Sequence, residues 1–435
     1  MSSPIEHAGY AGRQPAGSAE AKAQQLLIRR RWLIAALLFL AGLINYFDRT
    51  IVSVALPVIA VDLHMGPARM GVLLSAFFWS YALMQVPIGW LSDRYNLRWL
   101  YAGCFALWSL TCGLTGLAAS LGVMIVLRMF LGIGESIYLP GGMKVVSVLF
   151  PPKDRGLASG LVNCGTRAGL AFGAPLIAAL VVAFGWKTAF FLLGFTSLVW
   201  LGPWLMAFPR HSSTVTHASG KGHWKLSKVD RNLLGMSLAN IGYGYYFYLM
   251  VTWLPTYLVK ARGLSLQQAG AYAVVPYLTF TLSEPLGGWI ADKLVAAGWD
   301  EILSRKAIVA ASFATSVMLI PAGLVTGNTP AIVLLGGASL VGLSTPNIYA
   351  LVQRITRDGE VGFSIGVMNL AGNISGVAAP LATGLIVQQT GSYFPAFVVA
   401  VVVLLAAIPV YWVMVKGGAG GAPSGPACQQ VKRSR

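Results

Sequence analysis

The amino-acid sequence predicts an all-α membrane protein whose twelve transmembrane helices form two six-helix bundles. Three observations support this fold class. First, 56% of the 435 residues are apolar and only 10% are charged, whereas about 25% of the residues in a soluble domain carry charge. Second, twelve mainly apolar segments have about the 20 residues that a helix needs to cross the bilayer. Third, basic residues gather in alternate connections between these segments, as expected for the cytoplasmic side of a membrane.

The twelve predicted spans follow one another along the chain. Arg94 and Arg98 mark the connection after the second span, and Lys153 and Arg155 mark the connection after the fourth. Because basic connections stay on the cytoplasmic side, both termini are predicted to be cytoplasmic. The predicted spans are 32–56, 70–92, 98–118, 121–146, 156–182, 186–208, 231–258, 266–291, 305–325, 329–353, 360–388 and 392–415.

A formal net charge of +17 raises the question of a nucleic-acid partner. Most of the Lys and Arg residues lie in the two tails and in alternate connections, so membrane topology accounts for the charge. We therefore expect the lipid bilayer as a partner and no nucleic acid. The connections are simple and hold no sizeable external domain, which favours the inner membrane of a bacterium. We also expect the protein to function as a monomer.

The chain divides near its middle into two similar halves. "PIGWLSDR" (87–94) is echoed by "PLGGWIADK" (285–293), and "GLVNCG" (160–165) by "GVMN" (366–369). Both pairs match helices of the same order in the two halves, which is a parallel repeat typical of one large class of transporters. The predicted organisation is a cytoplasmic N-terminal tail at 1–30, an N-terminal bundle at 31–208, a cytoplasmic linker at 209–230, a C-terminal bundle at 231–415 and a cytoplasmic C-terminal tail at 416–435.

A loop signature and four motifs in the same order as in the family resemble the major facilitator superfamily. "GWLSDRYNLR" (89–98) is similar to the superfamily's signature after the second helix. "INYFDR" (44–49), "RMFLGIGES" (128–136), "WLPTYL" (253–258) and "NLAGNISGVAAPLATG" (369–384) resemble the anion:cation symporters within it. That family includes bacterial sugar-acid/proton symporters and the animal sialic-acid and vesicular glutamate carriers. The resemblance implies the major facilitator fold and transport of an organic anion by alternating access.

Charged side chains inside predicted spans are the strongest functional signal in the sequence. A charge at the bilayer centre costs roughly 3 kcal/mol on insertion scales, so such residues are expected to face a cavity and to pair. Arg128 and Glu135 lie two helical turns apart on one face of the fourth span, and the resemblance implies that the first helix packs nearby. Structural ion pairs between helices are the open alternative. The charged residues are Asp48, Arg49, Arg128, Glu135, Lys144, Arg167 and Glu284.

Asp48, Glu135 and Arg128 are the predicted proton-coupling residues. Together with Arg49 they form a cluster that is balanced in charge. Neutralising one carboxylate would leave a positive charge that an anion could fill, which is a physical basis for coupling protons to an anion. Burial and a neighbouring arginine act in opposite directions on carboxylate protonation, so titration in a usable range is possible. The residues leave open whether the coupled ion is H⁺ or Na⁺.

Arg49 is the best candidate for binding a substrate carboxylate, because a guanidinium offers a planar, bidentate partner and stays charged when buried. The family resemblance assigns this role to the Arg of the Asp-Arg pair. Tyr46 lies near Arg49 on the same helix, and packing is the alternative role for the tyrosines. The predicted substrate-binding residues are Arg49, Tyr46, Tyr81, Thr166, Arg167, Tyr243, Asn373, Ser344 and Asn347.

The resemblance also implies a conformational gate on the cytoplasmic side. In the superfamily signature an acid and its basic neighbours lock that side in one conformation. The matching residues are Asp93, Arg94 and Arg98, with Asp292 as the counterpart of Asp93 in the second half.

Enzyme chemistry is not indicated. The four cysteines form no CxxC pair, and the five histidines lie in tails and connections, so neither a metal site nor a cofactor is expected. The leading hypothesis is a proton-coupled importer of a small organic anion, such as an aldonate, hexuronate or hexarate. A proton–drug antiporter and a transporter-like anion sensor are the alternatives.

Overall fold

The computed structural model describes residues 16–208, 230–356 and 361–416. Within these ranges every regular element is helical and none is a strand. The predicted tails lie outside the described residues before residue 16 and after residue 416, as does the predicted linker up to residue 229. The prediction of an all-α protein is confirmed.

Fifteen α-helices and three short 3₁₀ turns make up the described part of the chain. Each 3₁₀ turn, Leu198–Trp200, Thr315–Met318 or Ser339–Leu343, joins two helices within one predicted span. The helices are α1 Ala16–Asp62, α2 Pro67–Arg94, α3 Leu97–Thr115, α4 Leu121–Glu135, α5 Tyr138–Leu149, α6 Pro152–Ser197, α7 Leu201–Ala207, α8 Arg231–Lys260, α9 Leu266–Ala296, α10 Glu301–Ala314, α11 Leu319–Leu324, α12 Asn328–Ala338, α13 Ser344–Ile355, α14 Val361–Thr390 and α15 Phe394–Met414.

Seven helical stretches in the described ranges are long and apolar enough to cross a membrane. One of them, Leu157–Ala207, covers all but one residue of both the fifth and the sixth predicted spans, which Gly185 separates at a φ of 78°. Only glycine adopts this backbone conformation without steric cost. Other predicted spans coincide with α2, α3, α8 and α9. The chain is therefore an integral, multi-pass membrane protein. The seven stretches are Ile28–Asp62, Leu121–Leu149, Leu157–Ala207, Glu301–Leu324, Asn328–Ile355, Ser364–Thr390 and Phe394–Met414.

Two of the predicted spans differ from the observed helices, one at its start and one by a break in its interior. α1 begins at Ala16, inside the predicted N-terminal tail, where Ala, Glu, Lys and Gln are all good helix formers. The fourth predicted span is divided into α4 and α5 directly after Glu135. Pro140 explains this break, because it has no N–H to donate to the carbonyl of Ser136 one turn earlier. The break falls beside a residue that the sequence singled out for function.

The described residues fall into two compact units. Unit 1 contains α1–α7 together with residues 248–278 and 376–396. Unit 2 contains the described residues among 226–247, 279–375 and 397–435. The division of the chain into two six-helix bundles by sequence order stays a prediction.

Unit 1 is built around the packing of α1 against α6 and of α4 against α2 and α3. Indole rings connect the end of the sixth span to its neighbours. Trp200 stacks on Phe105 at 4.1 Å between ring centroids, and its Nε1 donates to the carbonyl of Leu37 on α1 at 2.8 Å. Trp204 Nε1 donates to the carbonyl of Arg98 on α3 at 3.0 Å. These bonds fix α1 and α3 in unit 1, and those helices carry Asp48, Arg49 and Cys112 of the cluster described next.

Candidate functional site

A buried ion pair between α1 and α4 is the centre of the candidate site. The Nε of Arg49 donates to Oε2 of Glu135 at 2.8 Å. The Glu135 side chain is fully buried and that of Arg49 is 13% exposed. Buried ion pairs carry a desolvation cost, so they are weak evidence for a purely stabilising role. The structure thus brings together two residues that the sequence assigned to substrate binding and proton coupling.

Asp48 and Arg128 complete the cluster in a different way. The Asp48 carboxylate accepts a hydrogen bond from the thiol of Cys112 on α3, with 3.1 Å between Sγ and Oδ1. Arg128 on α4 donates from Nη1 to the backbone carbonyl of Asp48 at 3.3 Å. Asp48, Arg128 and Glu135 are each no more than 4% exposed. The four charged residues therefore share one dry region, but of its two carboxylates only that of Glu135 forms an ion pair with an arginine in the described structure.

Several polar atoms of this cluster are not satisfied. Among the described residues, Oδ2 of Asp48, Oε1 of Glu135 and Nε of Arg128 are buried without a hydrogen-bond partner. Buried polar atoms are almost always paired in folded proteins, and exceptions often mark functional sites. The cluster therefore has spare hydrogen-bonding capacity, which a proton or a polar ligand could use.

Aromatic rings surround the guanidinium of Arg49. Its Cζ lies 5.4 Å from the ring centroid of Tyr46, 4.7 Å from that of Phe77 and 4.6 Å from that of Tyr81. These contacts are within cation–π range and hold the guanidinium plane in place without occupying its hydrogen-bond donors. Tyr46 and Tyr81 thus lie beside Arg49, and their role as substrate contacts stays a prediction. Phe77 was missed, although its position four residues before Tyr81 places both rings on one face of α2.

A close approach of α6 to α1 sets the position of Tyr46. A Cβ atom added to Gly169 would lie 2.7 Å from the Cβ of Tyr46 and 2.7 Å from the carbonyl oxygen of Leu43. Glycine is therefore required at this crossing. One turn earlier on α6, Thr166 is buried and donates its hydroxyl to the carbonyl of Asn163 at 2.7 Å. Arg167 is half-buried, and both remain predicted substrate contacts.

Two further tyrosines of unit 1 were not found from the sequence. Tyr138, the first residue of α5, is 2% exposed and donates its hydroxyl to the carbonyl of Val162 at 2.8 Å. Tyr248 on α8 packs edge-on against Phe78 at 4.5 Å between centroids and interacts electrostatically with Arg49. Tyr138 follows the charged motif closely, which is a signal that could have identified it. Tyr248 has no comparable signal, because it is distant in sequence.

The predicted substrate residues of the second half lie in unit 2. The hydroxyl groups of Tyr243 and Thr345 are 3.0 Å apart and hydrogen-bonded. The Tyr243 ring stacks at 6.2 Å from Phe247 and 6.5 Å from Phe313. Asn373 on α14 is 9% exposed. Tyr243 and Asn373 remain predictions as substrate contacts, and Thr345 is a hydroxyl residue that the sequence analysis did not select.

Ser344 and Asn347 are fully buried on α13 and bonded within unit 2. The Ser344 hydroxyl donates to the carbonyl of Val341 at 2.7 Å. The Asn347 amide donates to the carbonyl of Gly287 at 3.0 Å, and its oxygen accepts from Arg305 at 3.3 Å. These contacts connect α13 to α9 and α10. The assignment of both residues to substrate binding stays a prediction.

The predicted gate residues of the first half occupy different environments. The side chain of Asp93 lies outside the described part of the structure. Arg94 is exposed and stacks over Trp90, with 4.1 Å from Cζ to the ring centroid. Arg98 is buried and donates to the carbonyl of Phe208, just after α7. The locking role predicted for these residues stays a prediction.

Asp292, the predicted gate residue of the second half, belongs to a network of ion pairs in unit 2. Arg305 contacts Asp292 and Glu301 at 3.2 Å each, and Glu301 also contacts Arg354 at 3.2 Å. The Asp292 side chain is 71% exposed, and exposed ion pairs contribute little individually. These ion pairs connect α9, α10 and α13, and the gating role of Asp292 stays a prediction.

The described ranges contain no group of three or more His, Cys, Asp or Glu residues that could hold a metal ion. The chemistry that the site offers is the exchange of protons and the binding of an anion by arginine.

Comparisons with known proteins agree with this description. A family model described as "Major Facilitator Superfamily" matches residues 38–338. A hexuronate transporter of Bacillus subtilis (strain 168) is 31% identical over 377 residues, which cover 83% of this chain and 89% of that protein. A "Probable galactarate/D-glucarate transporter" of Escherichia coli (strain K12) is 29% identical over 407 residues, covering 85% and 91%. The crystal structure of a bacterial homolog of the human lysosomal transporter Spinster, inward-facing and occupied, has a TM-score of 0.76 at 18% identity and covers 89% of this chain and 97% of its own.

Proposed function

Because the chain belongs to the major facilitator superfamily, and is thus a membrane transporter and not an enzyme, we propose that it imports a sugar acid together with protons. The substrate class is a hexuronate, hexarate or aldonate. Relatives named for hexuronate and for galactarate and D-glucarate support this class. Basic residues gather in alternate connections, which supports placing these connections and both termini on the cytoplasmic side of a bacterial inner membrane.

The observation that carries the proposal is the Arg49–Glu135 ion pair. In this pair Glu135 binds the Nε of Arg49 and compensates the positive charge that a substrate carboxylate would need. A substrate anion and the ionised Glu135 therefore compete for Arg49. Two anions on one buried guanidinium would leave a net negative charge in a region of low dielectric constant, which is costly. Binding is consequently favoured when Glu135 is protonated.

This competition couples the two fluxes. On the side with more protons, Glu135 takes up a proton, Arg49 is released and the substrate carboxylate binds to it. On the side with fewer protons, Glu135 loses its proton and returns to Arg49, which displaces the substrate. The charge of Arg49 is thus paired with an anion at each stage, with Glu135 in the empty protein and with the substrate carboxylate in the loaded one.

Asp48 is the second proton site in this scheme. It is buried beside the pair, yet its carboxylate forms no ion pair among the described residues. A buried carboxylate without a cation partner is most stable in its neutral form. Asp48 would therefore carry a proton through the membrane while Arg128 stabilises the backbone beside it.

Uptake by purified protein in proteoliposomes tests the proposal. The substrates are D-glucuronate, D-glucarate and D-galactonate, each offered with and without an imposed pH gradient, acidic outside. The expected result is that at least one substrate accumulates inside the vesicles above its equilibrium level, and only when the pH gradient is imposed. Export driven by the same gradient would instead indicate an antiporter. A thermal shift with any of them, without transport, would indicate a sensor.

A further inference from the structure

Cys112 on α3 contacts the second proton site directly. Its thiol donates to Oδ1 of Asp48 with 3.1 Å between sulfur and oxygen, and both residues are 1% exposed. The other carboxylate oxygen of Asp48 is buried and has no hydrogen-bond partner in the described ranges. The hydrogen bonding of this carboxyl group therefore depends on a thiol, which is a weak donor.

The other charged groups around Asp48 do not replace this contact. Those that face it are Arg128 and Glu135 from α4, beside its chain neighbour Arg49. Arg128 donates to the backbone carbonyl of Asp48 and not, in any described hydrogen bond, to its carboxylate. Glu135 carries like charge and is bound to Arg49. Within the described residues the thiol is thus the side chain that donates a hydrogen bond to the Asp48 carboxyl group.

We propose that Cys112 is a positioning residue for proton coupling, whose thiol orients the Asp48 carboxyl group and sets the pH at which it releases its proton. A hydrogen bond donated to a carboxylate favours the ionised form. Because a thiol donates weakly, it lowers the cost of ionisation in the membrane without fixing Asp48 permanently as an anion. The inference rests on the proposed function, in which Asp48 exchanges a proton during each cycle.

Infrared difference spectroscopy of the full-length protein in lipid tests this role without any substrate. The carboxyl band of protonated Asp48 is identified by its loss in Asp48→Asn, and its amplitude is followed as the pH is raised. The variants are Cys112→Ala and Cys112→Val, which remove the donor, and Cys112→Ser, which keeps one. Cys104→Ser is the matched control, because Cys104 lies on the same helix and is not bonded to Asp48 in the structure.

In Cys112→Ala and Cys112→Val the midpoint of the Asp48 band is expected to rise by about one pH unit. Cys112→Ser and Cys104→Ser are expected to stay at the parent value or, for Cys112→Ser, to fall below it. The S–H stretching band of Cys112 is also expected to change in Asp48→Asn. Equal midpoints in all variants, or equal shifts in Cys112→Ala and Cys112→Ser, would overturn the proposal, since the latter result indicates packing alone.

Uptake of D-glucuronate by the same variants separates this inference from the proposed function. A shifted infrared midpoint with a parallel shift in the pH dependence of uptake supports both. If Asp48→Asn still accumulates the probe under a pH gradient, the coupling role fails at Asp48, whatever the thiol does. If Asp48→Asn loses accumulation but no Cys112 variant moves the midpoint, only the role of Cys112 fails.

Discussion

At the scale of single residues, Arg49 contacts both a carboxylate and aromatic rings. Its Nε is bonded to Glu135, and its plane is flanked by the rings of Phe77 and Tyr81. The remaining guanidinium nitrogens keep the planar donor geometry that matches a carboxylate. Binding and coupling therefore depend on the same side chain, and substitutions must be designed to separate the loss of charge from the loss of substrate contact.

Arg49→Gln is expected to lose binding and also to destabilise the protein, because it leaves Glu135 buried without its partner. Breaking a buried pair costs about 3–5 kcal/mol. The double variant Arg49→Gln with Glu135→Gln removes both charges and should regain thermal stability but not affinity. Thermal unfolding and isothermal titration with D-glucuronate measure the two effects. Parent-like affinity in the double variant would remove Arg49 from the substrate site.

Arg167 provides a test of substrate charge. If both Arg49 and Arg167 bind carboxylates, Arg167→Gln should weaken D-glucarate binding far more than D-glucuronate binding. Loss of one partner of a desolvated charge pair costs about 2–5 kcal/mol, whereas an absent contact costs little. Titration of both sugars into both proteins measures the difference. An equal loss for the two sugars, or no loss, would show that Arg167 interacts with the protein and not with a second carboxylate.

At the scale of helices, the sequence was informative about spans and less so about side-chain direction. The predicted boundary between the fifth and sixth spans coincides with Gly185, since glycine punctuates apolar sequence visibly. Facing directions depend on tertiary packing, which periodicity does not specify in helices that are apolar on most sides. Cys112 and Phe77 therefore went unnoticed, although both touch the charged cluster.

Close helix contacts in unit 1 give a prediction at this scale. A Cβ atom on Gly71 of α2 would lie 2.5 Å from the carbonyl oxygen of Pro380 and 3.3 Å from the Cα of Gly384 on α14. Gly71→Val should therefore separate these helix ends at a cost of about 1–3 kcal/mol, and slow uptake about tenfold while D-glucuronate binding persists. Gly89→Val is the control on the same helix, because its Cβ would meet nothing within 4 Å. Equal uptake by the two variants would show that this contact is not part of the transport cycle.

At the scale of the whole molecule, the superfamily was evident from ordered motifs, whereas the compact units were not. Residues 248–278 and 376–396 belong to unit 1 although they lie in the second half of the chain. Contacts made far along the sequence decide this membership, and a single sequence does not contain them. The sequence did allow Arg49 and Glu135 to be placed in one cluster, because both charges lie in apolar segments where an unpaired charge is costly.

The central claim is that a proton on Glu135 releases Arg49 for the substrate, and Glu135→Gln tests it most directly. The glutamine resembles the protonated acid, so Arg49 should stay available. Proteoliposomes loaded with D-glucuronate, or with whichever sugar acid the parent protein transports, should still exchange it for labelled external substrate at a rate near that of the parent. Under an imposed pH gradient the same vesicles should fail to concentrate the label. Concentration of the label by Glu135→Gln at the parent level would contradict the account.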